Sequence, residues 1–176
     1  MYSVGIDTSN YTTSAALFDS AAGVMYSEKR LLPVKEGELG LRQSDALFHH
    51  TVALSEILEE ALKSRNDNSQ ISAIGVSDKP RDAENSYMPC FLAGVNAASC
   101  ASKLMGVPLY KFSHQAGHIA AAIFSSGKKE LIFKECLAFH VSGGTTEVVL
   151  TKPDKEKIIK AETVDRKSTR LNSSHR

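Results

Sequence analysis

The stretch VGIDTSNYTTSAALF, residues 4–18, decides the first expectation about the fold. Two apolar runs flank a polar segment, which is the pattern of a β-hairpin. A third run, GVMYSEKRLL at residues 23–32, predicts another strand. The chain is therefore expected to open with three consecutive strands.

A second stretch, LAFHVSGGTTEVVL at residues 137–150, repeats this plan of strand, polar turn and strand. Strands and helices alternate between the two stretches, with helices expected after a Ser44 cap and before a closing Gly106. Such alternation predicts parallel crossovers packed on the opening strands. We expect an α/β protein with a first lobe at residues 1–130 and the opening strands of a second, duplicated lobe at 131–164.

Composition excludes several classes of protein. The 176 residues carry 21 basic and 20 acidic side chains, a net charge of +1, which gives no electrostatic footprint for nucleic acid or an anionic membrane. Any RNA contact would be local or supplied by a partner. Three cysteines without a C-x-x-C pair argue against a disulfide framework, and no segment has the roughly 20 apolar residues of a membrane span. We expect a cytoplasmic protein with no membrane contact.

His114 and His118 lie four residues apart in FSHQAGHIAAA, residues 112–122. On a helix this spacing puts both imidazoles on one face, where they could share a metal ion. A metal site needs a third protein ligand, and none is evident nearby, so packed or surface histidines are the alternative. The intervening residues also lack the glutamate of the H-E-x-x-H pattern, which argues against a metallopeptidase.

Two polar turns are candidates for binding an anionic ligand. In the second, glycines and hydroxyls could form an anion nest, or simply a Gly-Gly hairpin turn. The first turn carries five polar residues that could line the same cleft as the second turn, or it is an ordinary solvated hairpin. These residues are Asp7, Thr8, Ser9, Thr12 and Thr13.

Other polar residues have less specific interpretations. Adjacent His49 and His50 point about 100° apart on a helix, so they cannot both face a cleft. One of them could be functional, but a solvated pair is expected. In the loop KPRDAENSYMPC, residues 79–90, Arg81 and Asp82 could orient a substrate or pair with each other.

Three motifs occur in an order that resembles one family. GIDTS at residues 5–9, SHQAGHIAA at 113–121 and HVSGGTT at 140–146 are similar to the motifs of the tRNA threonylcarbamoyladenosine transferases (TsaD), once called O-sialoglycoprotein endopeptidases. The resemblance implies the actin-like ATPase (ribonuclease H-like) fold. It also implies an acyltransferase that moves a threonylcarbamoyl group from its adenylate to an adenosine of tRNA, together with other threonylcarbamoylation proteins.

The same resemblance implies roles for particular residues. His114 and His118 match the family's two histidine ligands of a divalent metal, iron or zinc, and ATP or an adenylate would be the nucleotide. A segment that contacts the intermediate is matched by His140, Val141, Ser142, Gly143 and Gly144. The family's third metal ligand, an aspartate, would lie beyond this chain, which would leave this chain inactive by itself.

The sequence departs from the family pattern in three places. The family reads TSCDET where this chain has TSNYTT, so Tyr11 and Thr12 replace two acids, and residues 79–90 replace a Gly-Pro-Gly loop. These changes favour a divergent paralogue, with a non-catalytic nucleotide-binding partner or scaffold as the alternative function. The last segment, DRKSTRLNSSHR, resembles a translated sequencing adapter, which predicts a non-native tail at residues 165–176.

Overall fold

The computed structural model describes residues 1–34, 40–65, 70–141, 145–154 and 158–168. Strands β1 (Tyr2–Ser9), β2 (Thr12–Asp19) and β3 (Val24–Leu31) form the antiparallel meander expected from the opening stretch. Burial alternates along all of β1 and along β2 as far as Phe18, because successive side chains of a strand point to opposite faces. The hairpin prediction is confirmed.

Parallel strands extend this sheet on its other side. Helix α1 (Gln43–Leu62) leads to β4 (Ile71–Lys79), which pairs parallel to β1, and α2 (Phe91–Met105) leads to β5 (Leu109–Ser113), parallel to β4. The strand order is β3-β2-β1-β4-β5. The predicted parallel crossovers are therefore confirmed.

Of the two helix ends predicted from Ser44 and Gly106, the structure confirms one. Gly106 has φ 66° and ends α2 in the left-handed conformation, as predicted. The Ser44 cap was wrong, because α1 already begins at Gln43. The Ser44 hydroxyl instead donates to the Asp45 carboxylate, at 3.3 Å.

The core of this first sheet is apolar and continuous. The inward side chains of β1 and β4 pack against α1 and α2, which bury their own apolar stripes on the sheet. Its fully packed members are Tyr2, Val4, Ile6, Leu17, Leu54, Ile74, Val76 and Ala98.

A second antiparallel sheet follows, in the order β6-β7-β8. Helix α3 (His114–Ser125) and a short 3₁₀ turn (Lys129–Phe133) precede β6 (Cys136–Val141), β7 (Thr145–Asp154) and β8 (Ile158–Ser168). The order and direction of these strands repeat those of β1, β2 and β3, in agreement with the duplication expected from the sequence.

The chain divides into two compact units earlier than residue 130, where the sequence placed the boundary. The first unit holds residues 1–80 and 85–114, and the second holds residues 81–84 and the chain from Gln115 onward. The reason is that α3 packs with the second sheet: Ala116, Ile119 and Ile123 form one core with Val149 and Ala161. Strand β8 continues to Ser168, four residues into the predicted tail, and residues 169–176 lie outside the described part.

Candidate functional site

The carboxyl ends of three parallel strands bring polar side chains together in the first unit. Asp7 lies near the end of β1, Ser77 near the end of β4, and His114 directly after β5. In open α/β sheets this edge is where ligands bind. It is the strongest candidate site in the unit.

Asp7 is the centre of this group. Its Oδ2 lies 2.8 Å from His114 Nδ1 and accepts a hydrogen bond from the Ser77 hydroxyl, while its Oδ1 accepts one from the Ser9 N–H at 2.8 Å. Burial alone would raise the pKa of the Asp7 carboxyl, but the hydrogen bonds and the charge of His114 outweigh burial, so its pKa lies well below its ordinary value. The carboxylate is thus ionised at neutral pH.

This contact decides how His114 can act. A carboxylate at Nδ1 holds the ring in one orientation and keeps the proton on that nitrogen. Only Nε2 of His114 could then bind a metal. Its side chain is about one-third exposed, so the ring is within reach of solvent.

The hydroxyls of the first hairpin have structural partners. Thr8 and Thr13 are fully buried. Thr8 Oγ1 donates to the Cys90 carbonyl at 3.1 Å and accepts from the Gly94 N–H at 3.2 Å. Both threonines were predicted to belong to a cleft turn. The structure places them in β1 and β2, where their hydroxyls form hydrogen bonds with α1, α2 and the residue before α2. Ser9 and Thr12, nearer the turn, are partly exposed.

His50 of α1 is the hydrogen-bond partner of Thr13. Its Nδ1 lies 2.8 Å from Thr13 Oγ1, and its side chain is fully buried. Burial lowers the pKa of His50, an effect that Asp7 and the Asn10 backbone carbonyl partly offset. The expectation of a solvated pair was therefore wrong for His50, which falls on the buried stripe of α1.

A second polar group surrounds Glu147 in the second unit. Glu147 is 1% exposed, which is rare for a carboxylate without partners. Its Oε1 lies 2.9 Å from the Arg81 guanidinium, and its Oε2 accepts a hydrogen bond from Gln115 Nε2 at 2.6 Å. It lies directly opposite His140 in the β6–β7 ladder, with Oε2 3.9 Å from His140 Nδ1.

The remaining predicted residues are placed as follows. His118 lies on α3 and stacks on His140, with ring centroids 5.8 Å apart and planes at 27°. Val141 is 72% exposed and, by strand alternation, points away from the face of His140. Ser142, Gly143 and Gly144 lie outside the described residues. Among the residues described, no group of three His, Cys, Asp or Glu could hold a metal ion.

Comparison with known families identifies the chain. The model of TsaD, tRNA N6-adenosine threonylcarbamoyltransferase, matches residues 35–170. The chain belongs to this family. Its motif resemblance is thereby confirmed.

Curated members of the TsaD family align along most of the chain. The tRNA N6-adenosine threonylcarbamoyltransferase of Bacillus subtilis is 32% identical over 174 residues, covering 94% of this chain and 46% of the relative. That of Anoxybacillus flavithermus is 33% identical over 157 residues, covering 86% and 42%. The chain thus spans less than half the length of these curated TsaD relatives.

Solved structures support the fold of this TsaD-family chain. YeaZ from Pseudomonas aeruginosa is similar with a TM-score of 0.57 at 14% identity, covering 95% of this chain and 66% of that one. The fold is the actin-like ATPase fold, as predicted. No helix in the described ranges is both long and apolar enough to cross a membrane.

Three residues of the two polar groups escaped the sequence analysis: Ser77, Gln115 and Glu147. Ser77 and Gln115 are common residue types with no motif around them. Glu147 follows the motif of the second hairpin and alternates with the buried Val149 and Thr151, so its inward position could have been read from strand periodicity.

Proposed function

We propose that this TsaD-family chain takes part in metal-dependent transfer of a threonylcarbamoyl group from its adenylate to an adenosine of tRNA. The support is the family match together with one geometric observation, the contact between Asp7 and His114 Nδ1. The proposed ligands are His114 and His118, and iron or zinc is the proposed metal.

The residues present fit such a metal in two respects. Imidazole nitrogens suit both iron and zinc, and a metal-binding histidine characteristically donates its other ring N–H to a carboxylate. Asp7 occupies that position for His114. When bound, the metal would act as a Lewis acid that polarises an oxygen of the transferred group.

The protein residues would then bind and orient the substrate. Asp7 fixes His114, and Ser77 fixes Asp7 through a hydrogen bond to the same carboxylate oxygen, Oδ2. His140 lies at the start of the segment that we propose contacts the adenylate. Holding the reacting groups in place in this way lowers the entropic part of the barrier.

Recognition of tRNA would depend on partners. Non-specific affinity for nucleic acid comes from basic side chains that displace the counterions of the phosphates. With a net charge of +1, the chain itself is expected to offer little of this affinity for tRNA. We propose that other threonylcarbamoylation proteins, or a few local contacts, supply the rest, and that the complex works in the cytoplasm.

The test combines metal content with product formation. Protein expressed from the whole gene is reconstituted with iron or zinc, mixed with the other threonylcarbamoylation proteins and incubated with threonylcarbamoyl-adenylate and tRNA. Nucleosides are then analysed by mass spectrometry for the modified adenosine. His114→Ala and His118→Ala should each lose the metal and the product. His49→Gln, which alters a half-exposed histidine of α1, is the matched control and should keep both. Metal-replete protein that leaves tRNA unmodified would contradict the proposed transfer.

A non-catalytic partner or scaffold is the second candidate function. It is favoured by Tyr11 and Thr12, which stand where the family has two acids. Such a protein would form a stable complex with threonylcarbamoylation proteins and show no turnover. Restoring the acids, with Tyr11→Asp and Thr12→Glu, should then be needed before any product appears; product formed by the unchanged chain argues against this candidate.

A further inference from the structure

The carboxylate of Glu147 is a hub of the second unit. It receives Arg81 from the loop after β4, Gln115 from α3, and faces His140 on β6. A buried carboxylate is costly unless charged and hydrogen-bonding partners satisfy it. These three neighbours are accordingly cationic or able to donate a hydrogen bond.

The environment of His140 is one-sided. Its Nδ1 is buried and has no hydrogen-bond partner among the residues described, while Glu147 Oε2 lies 3.9 Å away. The two residues are directly opposed on neighbouring strands, so the pleat of the sheet keeps the imidazole beside the carboxylate. The side chain is otherwise about one-third exposed.

This asymmetry selects one tautomer of the neutral ring. With the proton on Nδ1, the N–H dipole points toward the carboxylate and the attraction is favourable. With the proton on Nε2, a lone pair would face a negative charge in a buried environment, where such repulsion is poorly screened. The lone pair of His140 is therefore expected on Nε2, away from Glu147.

We propose that Glu147 is a positioning residue that holds His140 in the Nδ1–H tautomer, so that His140 Nε2 accepts a hydrogen bond from a donor group of the substrate. The substrate part of this proposal rests on the proposed function. A hydroxyl or a carbamoyl N–H has the required chemistry. Stacking on His118 would further restrict the plane of the ring.

The tautomer can be measured without activity. Long-range ¹H–¹⁵N correlation spectra recorded at pH 8, above the ordinary histidine pKa of about 6.5, distinguish protonated from unprotonated ring nitrogens. The signals of His140 are assigned by their loss in His140→Gln. In the unchanged protein Nδ1 should be protonated and Nε2 unprotonated. A predominantly Nε2–H ring in the unchanged protein would overturn the proposal whatever the variants show.

Variants separate the charge of Glu147 from its packing. Glu147→Gln keeps the size of the side chain and should lower the Nδ1–H to Nε2–H ratio about tenfold, because the carboxylate charge 3.9 Å from Nδ1 favours the N–H dipole that points toward it. Glu130→Gln removes an exposed carboxylate from the same unit and should leave the ratio unchanged. A change as large in Glu130→Gln as in Glu147→Gln would refute the role of the Glu147 charge.

Failure of this inference is distinguishable from failure of the proposed function. A protein that modifies tRNA but carries an Nε2–H His140 refutes the positioning role and leaves the transfer intact. A protein with the Nδ1–H ring and no transfer refutes the proposed function and, with it, the assignment of the substrate as donor. If Glu147→Gln does not fold, the spectrum of the unchanged protein still decides the tautomer.

Discussion

Gly94→Ala should destabilise the first unit, although alanine is the better helix former. Gly94 lies in α2 where the helix packs on β1, and an added Cβ would meet Thr8 Oγ1 at 2.9 Å and Ile6 Cγ2 at 3.2 Å. The threonine cannot easily move, because its side chain is fully buried and its hydroxyl is bonded to the Cys90 carbonyl. Relief therefore requires a shift of the helix.

The magnitude follows from two opposing terms. Alanine gains about 1 kcal/mol over glycine in a helix interior, whereas forcing an extra methyl into a packed core typically costs about 1–3 kcal/mol. The contact at 2.9 Å involves a threonine side chain that cannot rotate away, which places this cost near the upper end of that range. We expect a net loss of about 2 kcal/mol in the free energy of unfolding, which for a slope of about 1–3 kcal/mol/M shifts the urea midpoint down by about 0.7–2 M.

Tyrosine fluorescence reports on this unit alone. The chain has no tryptophan, and all its tyrosines lie in the first unit: Tyr2, Tyr11, Tyr26, Tyr87 and Tyr110. Asn96→Ala, at an exposed position of the same helix, is the control and should gain a few tenths of a kcal/mol from propensity. A midpoint that rises in Gly94→Ala as it does in Asn96→Ala would refute the close approach of α2 to β1.

Three further changes have predictable outcomes. Because burial lowers the pKa of His50, the contribution of the neutral ring to stability is complete above about pH 6.5. On acidification this contribution is lost by up to about 1.4 kcal/mol per pH unit. Tyrosine-monitored unfolding between pH 8 and 5 should show this slope, and His50→Gln should lack it. Burial raises the pKa of the Cys90 thiol, so a disulfide reagent should label exposed Cys100 at once and Cys90 only on unfolding; equal rates would contradict the burial. The Arg30–Glu56 ion pair is exposed, so Arg30→Met should change the unfolding free energy by less than about 1 kcal/mol; a larger loss would show that the pair is stronger than surface pairs usually are.

The strands were predictable because their pattern is local. Alternating burial along β1 and β2 is written in residues 2–19, and the closing glycine of α2 requires a backbone conformation that few other residues adopt. The start of α1 was mistaken because Ser44 is a preferred N-cap residue type, whereas Arg42, which occupies the N-cap position without a side-chain hydrogen bond, is not. Choosing between them depends on how the preceding loop enters the helix, which the sequence does not encode locally.

The candidate site was predictable only in parts. Asp7 and His114 were each singled out, but for different reasons and as members of different motifs. Their contact depends on β1, β4 and β5 being neighbours in one sheet, which places residues 107 positions apart at one edge. Conversely, Thr8 and Thr13 are polar residues beside a turn, and only the packing of α1 and α2 shows that their hydroxyls are internal.

The contact between Arg81 and Glu147 accounts both for the burial of Glu147 and for the place of the loop after β4 in the second unit. Residues 79–90 were expected to replace a shorter family loop, with Arg81 and Asp82 either orienting a substrate or pairing with each other at the surface. In the structure, Arg81 contacts the buried Glu147, and Asp82 Oδ2 accepts a hydrogen bond from the Ala161 N–H at 3.4 Å. This is why residues 81–84 belong to the second unit although they follow β4 in the chain. A carboxylate 1% exposed needs a cation close by, and the loop supplies one. The loop and the buried acid are therefore best understood as one feature of this chain, because the burial of the acid and the place of the loop in the second unit both depend on their contact.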